Sequence, residues 1–292
     1  MIISQEQFTS VKGVKIMYSS PPEIADFTVI AGVKKANLSS VNQFLLGVLA
    51  GAFIAFGAQA ANFATHTISD AGTAKFIAGL IFPAGLILVL LAGAELFTGN
   101  NLMVIALCER KITLLQLVKS WLIVYAGNLA GSVLVALLVS MSGQFGYTGG
   151  LLGGFTLKAA AGKISLTFKS ALVLGVLCNW LVCLAVWTSF GAKDAVSKAV
   201  CAFFPVWVFI ASGFEHSVAN MYYIAAGIFA KSNALYVSKA IEIGASQSAI
   251  DSLNWASMFT ANLLPVTIGN IIGGAGFVGV VYWFVYLRGR KS

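Results

Sequence analysis

The feature that most constrains this chain is an apolar run, 199–230, that is too long for a single membrane helix. A lysine bounds it at each end, and its only acidic or basic residues are Glu215 and His216. A straight helix of this length would reach about 48 Å, whereas the hydrocarbon core of a bilayer is about 30 Å thick. The run must therefore be interrupted, and Ser212-Gly213 breaks its hydrophobic pattern just before the two ionisable residues.

Glu215 and His216 would lie near the middle of the bilayer. An ionisable side chain at that depth costs at least about 2.5 kcal/mol, so it normally faces the protein interior or a permeation pathway. The alternative is a structural histidine whose hydrogen bonds are satisfied within a helix bundle. A second interrupted run in the same chain decides between the two interpretations.

That second run occupies 75–109. Its centre, 92–102, again carries small residues, one glutamate, Glu95, and an asparagine shortly after it. Two further blocks recur in the same order: LGVL at 46–49 and 174–177, and GN-x-x-G at 127–131 and 269–273. Matching blocks in matching order indicate an internal repeat, and two matched polar breaks favour a functional pathway over a structural histidine.

The composition indicates a polytopic membrane protein. Of 292 residues, 59% are hydrophobic and 10% are charged, and the mean hydropathy is +0.89. The basic residues behind the net charge of +8 fall between apolar runs and not along one face, so they indicate membrane topology and not nucleic-acid binding. The four cysteines lie in or at the ends of apolar segments without metal-ligand spacing, so we expect no disulfide, zinc site or cofactor.

Six membrane-spanning segments are predicted, with the second and fifth broken: about 41–64, 74–108, 113–141, 167–190, 197–230 and 256–287. Three segments per repeat is an odd number, so the two copies cross the membrane in opposite senses, and the broken helices of such inverted repeats meet near the midplane. We therefore predict an all-α protein of two inverted three-helix repeats. Its predicted divisions are an N-terminal segment with an amphipathic helix (1–40), the first repeat (41–141), a connecting loop (142–166), the second repeat (167–287) and a tail (288–292).

Lysine and arginine are concentrated on the side that holds both termini, which predicts that both termini are cytoplasmic. The N-terminal helix, opening at Pro21-Pro22, would place Ile24, Phe27 and Ile30 on one face and end at Lys34-Lys35. This pattern predicts a helix on the inner membrane surface, and a solvated helix without lipid contact is the alternative. GxxxG spacing predicts close helix contacts at 47–51, 127–131 and 269–273.

Four stretches closely resemble the formate/nitrite transporter family: ELFTG at 95–99, NWLVCLA at 179–185, ASGFEHSVANM at 211–221 and PVTIGNIIGG at 265–274. The resemblance covers about residues 25–288, with the motifs in the family's order. It implies an aquaporin-like six-helix protomer that assembles as a homopentamer in the bacterial cytoplasmic membrane, with an anion pore in each protomer. Small monovalent anions and the lipid bilayer are then the expected partners.

The resemblance also implies which side chains line the pore. His216 would be the central histidine, and Thr98 its hydrogen-bond partner. Lys163 would draw anions toward the pore, with Asn179 as the polar residue near it; the alternative is that Lys163 is an ordinary loop lysine. Glu215 and Asn220 would support the break, and Asn270 would be a further polar neighbour. The residues expected to form apolar constrictions on either side of the histidine are Phe82, Leu86, Leu96, Val182 and Phe209.

These residues suggest passage assisted by a proton. Dehydrating a small anion costs tens of kcal/mol by ideal Born estimates, whereas protonating a weak acid whose pKa lies about three units below ambient pH costs about 4 kcal/mol. Histidine, with an unperturbed pKa of about 6.5, is suited to sharing such a proton. Formate is the expected substrate, and nitrite and hydrosulfide are alternatives that the constriction residues do not separate.

Functions of other classes fit less well. An intramembrane enzyme that used Glu215 and His216 as acid and base would need a nucleophile or a metal cluster, and the sequence offers neither, so we expect no enzymatic activity. A structural scaffold leaves the two matched breaks unexplained. A water or glycerol channel would carry paired Asn-Pro-Ala motifs, which the sequence lacks.

Overall fold

The computed structural model describes residues 18–290, which form helices joined by turns, with one isolated β-bridge between Tyr18 and Ala192. Residues 1–17 of the predicted N-terminal segment and 291–292 of the predicted tail lie outside the described residues. The α-helices are α1 (Pro21–Ala36), α2 (Ser40–Thr65), α3 (Ala71–Ile81), α4 (Pro83–Ala92), α5 (Val104–Cys108), α6 (Leu114–Met141), α7 (Leu151–Ile164), α8 (Phe168–Gly191), α9 (Ala195–Ala211), α10 (Ser217–Ala230), α11 (Ala234–Glu242), α12 (Gln247–Ser252), α13 (Trp255–Ser257), α14 (Leu264–Ile271) and α15 (Val281–Tyr286). Gly99–Met103 and Gln144–Gly146 are 3-10 turns, and Met258–Leu263 and Ile272–Val280 are π-helical.

The described residues contain six membrane segments, as the sequence predicts. The five that are long and apolar enough to cross a bilayer as one helical stretch are Ser40–Thr65, Ala71–Ala92, Leu114–Met141, Phe168–Gly191 and Trp255–Tyr286. The remaining segment consists of the shorter helices α9 and α10, which meet at a break. The second segment is also broken, because Gly99–Cys108 continues it beyond α4. The predicted all-α fold with broken second and fifth segments is thus confirmed.

A glycine ends the first half of each broken segment. Gly93 follows α4 with a φ of 80°, and Gly213 follows α9 with a φ of 70°. Both angles lie in the left-handed region, which glycine enters without the steric cost that a Cβ imposes. Each glycine therefore ends a helix, and the chain continues as an irregular, largely buried stretch before the next helical turn.

Asn128 of α6 holds the first break in place. Its amide oxygen accepts a hydrogen bond from Phe97 N–H at 2.9 Å, and its Nδ2 donates to the carbonyls of Gly47 at 2.8 Å and Glu95 at 2.9 Å. Backbone groups left free by a helix break need such partners when they are buried. One side chain thus satisfies three buried backbone groups from two different segments.

Asn270 of α14 does the same for the second break. Its amide oxygen accepts from Ser217 N–H at 2.9 Å, and its Nδ2 donates to Gly175 O at 2.8 Å and Glu215 O at 3.0 Å. Asn128 and Asn270 are the asparagines of the repeated GN-x-x-G blocks. The two halves of the chain therefore share a hydrogen-bonding device as well as a sequence pattern.

The glycines of these blocks bring helix backbones into contact. A Cβ built on Gly131 would meet the carbonyl of Val48 in α2, and one on Gly273 would meet the carbonyl of Val176 in α8. Neither position has room for a methyl group without a backbone shift. The GxxxG spacing therefore reflects close packing of α6 on α2 and of the last span on α8, as predicted.

The stretch 142–166 is not the irregular loop that its glycines suggest. Gly143, Gly149 and Gly150 have positive φ and form the turn, but Leu151–Ile164 then forms α7, which packs on α10 and α11. Gly153 and Gly154 lie where a Cβ would meet side chains and backbone of α11. These glycines permit close helix packing, so tertiary contacts outweigh the low helix propensity of the sequence.

The N-terminal helix forms at the predicted position but with a different buried face. Ile24 is 2% exposed, whereas Phe27 is 47% and Ile30 is 65% exposed. The buried side, which includes Thr28 and Gly32, packs on α5, the adjoining 3-10 turn and α8. α1 thus packs on the protein through Ile24 and small residues, and contact of its exposed side with the membrane surface stays a prediction.

Candidate functional site

His216 occupies the N-cap of α10, and both of its ring nitrogens have partners. Nδ1 accepts a hydrogen bond from Ala219 N–H at 3.1 Å, and Nε2 lies 2.8 Å from Thr98 Oγ1. His216 is 2% exposed and Thr98 is fully buried. The contact between His216 and Thr98, which the family resemblance implies, is therefore present, and it joins the break of one repeat to the break of the other.

The two contacts determine where the histidine carries its proton. A backbone N–H can only donate, so Nδ1 must present its lone pair to Ala219. In the neutral imidazole the proton then lies on Nε2, which donates to Thr98 Oγ1. The Thr98 hydroxyl hydrogen remains available to another acceptor. Protonating Nδ1 would break the bond that caps α10, so the fold favours the neutral ring.

The five predicted constriction residues meet around one small cavity. This cavity has a volume of about 10 Å³, roughly the space of one water molecule. Phe82 and Phe209 pack edge to face, with ring centroids 5.7 Å apart, and the centroid of Phe209 lies 5.9 Å from that of His216. The residues that line the cavity are Ile54, Phe82, Leu86, Leu96, Val182, Val206, Phe209 and His216. Apart from the histidine, every side chain in this set is apolar.

A larger cavity of about 420 Å³, here called the vestibule, also reaches His216. Its polar lining includes Lys75, Lys158, Lys163, Glu215, Asn62 and Asn220. Three lysines against one glutamate give this lining an excess of positive charge. The vestibule therefore brings an anion-attracting surface next to the apolar cavity.

Lys163 lies in the last turn of α7 and is bound to Glu215. Its Nζ is 2.9 Å from Oε1 and 3.1 Å from Oε2, and it also lies 5.3 Å from the ring centroid of Tyr223. Asn220 Nδ2 donates to Glu215 Oε2 at 2.6 Å and to Asn262 Oδ1 at 2.8 Å. Glu215 and Asn220 thus lie at the break, as expected, but the charge of Lys163 is compensated.

The first repeat contains a matching cluster that sequence reasoning missed. Lys35 Nζ lies 2.7 Å from Glu95 Oε1, and Asn100 Nδ2 donates to Glu95 Oε2 at 2.7 Å. Lys35 lies in the last turn of α1 as Lys163 lies in the last turn of α7, so the helix before each predicted repeat takes part in the match. The repeated glutamate and asparagine were visible in the sequence, but the lysine partner lies 60 residues before Glu95 and outside the repeated blocks.

The resemblance implied that Asn179 lies near Lys163, but the hydrogen bonds of its side chain go to other residues. Its Nδ2 donates to Asn270 O at 2.7 Å, Asn101 Oδ1 at 2.9 Å and Thr98 O at 3.3 Å. These partners belong to the first break with the 3-10 turn that follows it, and to α14. The Asn179 side chain therefore holds the backbone of Thr98 through its carbonyl. The backbone carbonyl of Lys163 is bound by a different amide, because Asn262 Nδ2 donates to it at 2.9 Å.

The described residues contain no group of three or more His, Cys, Asp or Glu side chains that could hold a metal ion. The four cysteines are free thiols, two of them buried in α8. The polar groups at the site are therefore hydroxyl, amide, imidazole, ammonium and carboxylate groups, arranged around apolar walls.

Comparison with known proteins gives one family. The formate/nitrite transporter family model matches residues 22–284. Formate channel FocA of Escherichia coli (strain K12) is 41% identical over 277 residues, covering 92% of this chain and 94% of the relative. An uncharacterized transporter of Bacillus subtilis (strain 168), YrhG, is 40% identical over 281 residues and covers 94% of this chain and 96% of its own length.

Solved structures show the same similarity. A pentameric formate channel with formate bound superposes with a TM-score of 0.74 at 36% identity, covering 85% of this chain and 98% of its own. An ion channel of the same family superposes with a TM-score of 0.75 at 29% identity, covering 90% of this chain and 98% of its own. The similarity thus extends through both repeats.

Proposed function

The chain belongs to the formate/nitrite transporter family, and we propose that it conducts formate across the bacterial cytoplasmic membrane through a pore centred on His216. Relatives that cover most of the chain are named formate channels, including FocA of Escherichia coli and BtFdhC of Bacillus thuringiensis. These names describe channels and not enzymes. The positively charged vestibule and the apolar cavity beside His216 support a pathway for a small monovalent anion.

The two cavities divide the pathway into an attractive part and a restrictive part. In the vestibule an anion remains hydrated and near ammonium groups. In the apolar cavity an ion would lose its water, at a cost of several kcal/mol or more. The anion of a weak acid, such as formate, avoids most of this cost when it takes up a proton, so we propose that it passes the apolar side chains as neutral formic acid.

His216 and Thr98 act at this point as hydrogen-bonding groups. The imidazole Nε2–H donates to Thr98 Oγ1 across the break, at 2.8 Å between the two heavy atoms, which leaves the hydroxyl hydrogen of Thr98 free to donate. Formate would accept a hydrogen bond from this hydroxyl and, by taking the place of Thr98 Oγ1, from Nε2–H, while a proton from the aqueous vestibule neutralises it. The hydrogen bond from Ala219 N–H to Nδ1 favours a neutral ring. His216 therefore shares its Nε2 proton with the substrate and does not carry a lasting positive charge.

The observation that carries this proposal is the position of the Thr98–His216 pair, buried between the two repeats and beside apolar walls. The test is formate flux into proteoliposomes as a function of pH, for wild type and His216→Phe. We expect wild-type flux to rise as pH falls, because the neutral acid becomes more abundant, and the variant to lose the selectivity for formate over chloride. Unchanged flux, pH dependence and selectivity in His216→Phe would contradict the proposed role.

The assembly and orientation are also proposals. A structural relative is titled a pentameric formate channel, which supports a homopentamer with one pore in each protomer. Native mass spectrometry of the purified protein should then give a mass close to five times 30.6 kDa. Labelling of single cysteines introduced next to each terminus should occur only from the cytoplasmic side, because the basic residues predict that both termini face inward.

Nitrite is the second candidate substrate, because the family model that matches the chain describes formate/nitrite transporters. Hydrosulfide remains an alternative of the same class. Flux measured with formate, nitrite, hydrosulfide and chloride under one gradient separates these substrates. Faster nitrite than formate flux would change the substrate but not the pathway.

A further inference from the structure

The charge of the vestibule does not come from Lys163. Its ammonium contacts both oxygens of Glu215, at 2.9 and 3.1 Å, so the pair is neutral as a unit. An incoming anion would have to compete with a partly buried carboxylate for this lysine. The excess positive charge of the lining therefore belongs to Lys75 and Lys158.

Lys75 is the freer of these two. Lys158 Nζ donates to the carbonyl of Ile243. Within residues 18–290, Lys75 makes no hydrogen bond and no ion pair with a carboxylate. Its ammonium lies next to the second break, since a Cβ built on Gly213 would be 3.6 Å from Nζ. Lys75 thus presents three donors to the vestibule beside the second break.

Asn62 of α2 contributes a second unused donor. It is 5% exposed and lines the same vestibule, and its Nδ2 has no hydrogen-bond partner among the described residues. A buried amide donor without a partner costs about 1–3 kcal/mol, so at the wall of a cavity this amide is suited to a ligand that accepts a hydrogen bond from it. Asn62 and Lys75 belong to adjacent segments on one side of the vestibule.

We propose that Lys75 and Asn62 form a loading site that binds a small monovalent carboxylate before it reaches His216. One oxygen of the anion would accept from the Lys75 ammonium and the other from the Asn62 amide. An anion with two oxygens uses both donors, whereas chloride offers a single atom. The site rests on the proposed function in that its ligand is the anion to be conducted, and it deepens that function by assigning the first binding step.

The loading site predicts a change in apparent affinity and not in the restrictive step. Lys75→Ala should raise the half-saturating formate concentration about fivefold, the size of one partly screened charge contact. Asn62→Ala should raise it about threefold, the size of one hydrogen bond. The maximal flux should stay within a factor of two, because the apolar cavity and His216 are unaltered.

The matched controls separate this site from general surface charge. Lys75→Arg keeps the charge and the donors, so its half-saturating concentration should stay within a factor of two of wild type. Lys169 is exposed at the start of α8 and does not line the vestibule. Lys169→Ala removes the same charge and should leave the formate dependence unchanged.

Measurements of formate flux and of formate binding together test the loading site separately from the proposed function. Formate conduction by wild type, with unchanged half-saturation in Lys75→Ala and Asn62→Ala, would overturn the loading site and leave the proposed function standing. If wild type conducts no formate, the proposed function fails, and saturation-transfer NMR on the formate proton tests the site separately. Transfer that is lost in Lys75→Ala and kept in Lys169→Ala supports the site; equal transfer in all three proteins overturns it.

Discussion

Thr98 Oγ1 and His216 Nε2 are 2.8 Å apart although 118 residues separate them in the chain. Each residue lies at the break of a different repeat, so this one contact joins the two halves at their polar centres. Leu96 and Val218 lie close to the pair in the chain but contribute only apolar groups. The contact between the two breaks described here is thus made by one hydroxyl and one imidazole.

Removing the Thr98 hydroxyl tests this contact. Thr98→Val keeps the shape of the side chain but leaves Nε2–H without its acceptor, so we expect formate flux to fall about tenfold, near the upper value for one buried hydrogen bond. Thr98→Ser retains the hydroxyl and should keep flux within a factor of three. Flux measurements in proteoliposomes at equal protein incorporation check both. Equal activity of the valine and serine variants would show that the hydroxyl is not needed.

The capping role of His216 can be separated from its role in the pore. His216→Ala removes the acceptor for Ala219 N–H and should lower the free energy of unfolding by about 1 kcal/mol, whereas His216→Asn supplies another good N-cap and should lose less. Both variants lack the imidazole and should lose the selectivity for formate over chloride. Denaturation midpoints in detergent check the first expectation. Equal midpoints for the two variants would contradict the capping role.

The Lys163–Glu215 pair should matter for stability more than a surface ion pair does. The side chains are 17% and 8% exposed, so Lys163→Met leaves a largely buried carboxylate and should cost about 3 kcal/mol of unfolding free energy. Lys239 and Glu242 form an exposed pair, at 30% and 61%, and Lys239→Met should cost less than about 1 kcal/mol. Unfolding of both variants in one detergent gives the comparison. A smaller loss at Lys163 than at Lys239 would contradict the burial argument.

Two glycines in one helical segment offer a test of close packing. A Cβ on Gly273 would meet the backbone of α8, whereas a Cβ on Gly276 would meet nothing within 4 Å. Gly273→Ala should therefore destabilise the protein by about 1–3 kcal/mol. Gly276→Ala should be neutral or slightly stabilising, because it lowers the entropy of the unfolded chain. Melting temperatures in detergent distinguish them, and a larger loss for Gly276→Ala would be the contrary result.

The sequence predicts the membrane segments and the breaks because hydrophobic length and intramembrane polar residues are local signals. The overlong run 199–230 and the glycine before Glu215 locate the second break without any structure. The helix α7 escapes prediction because its glycines resemble a loop, and only the contacts with α11 show why they are tolerated. Propensity is a weak guide where tertiary packing decides.

Side-chain partners were harder to predict than segments. The apolar run supplied His216 and the resemblance to a family supplied Thr98, but the repeat itself could have supplied Asn128, which matches Asn270 in the repeated block. Lys35 and Asn62 carry no such signal, because an ion pair or an unused donor is defined by distance and not by spacing in the chain. The hydrogen-bond partners of Asn179 could not be found from the sequence for the same reason.

The matched clusters around Glu95 and Glu215 have a consequence for direction. A scaffold built from two inverted copies presents equivalent supports to both faces of the membrane, so the framework itself gives no preference for import or export. Any rectification of the anion flux has to come from features that only one half possesses, such as His216 or the positively charged vestibule that contains Lys75. Substituting those unmatched side chains, while leaving the paired framework intact, is therefore the way to change how strongly the flux depends on the direction of the gradient.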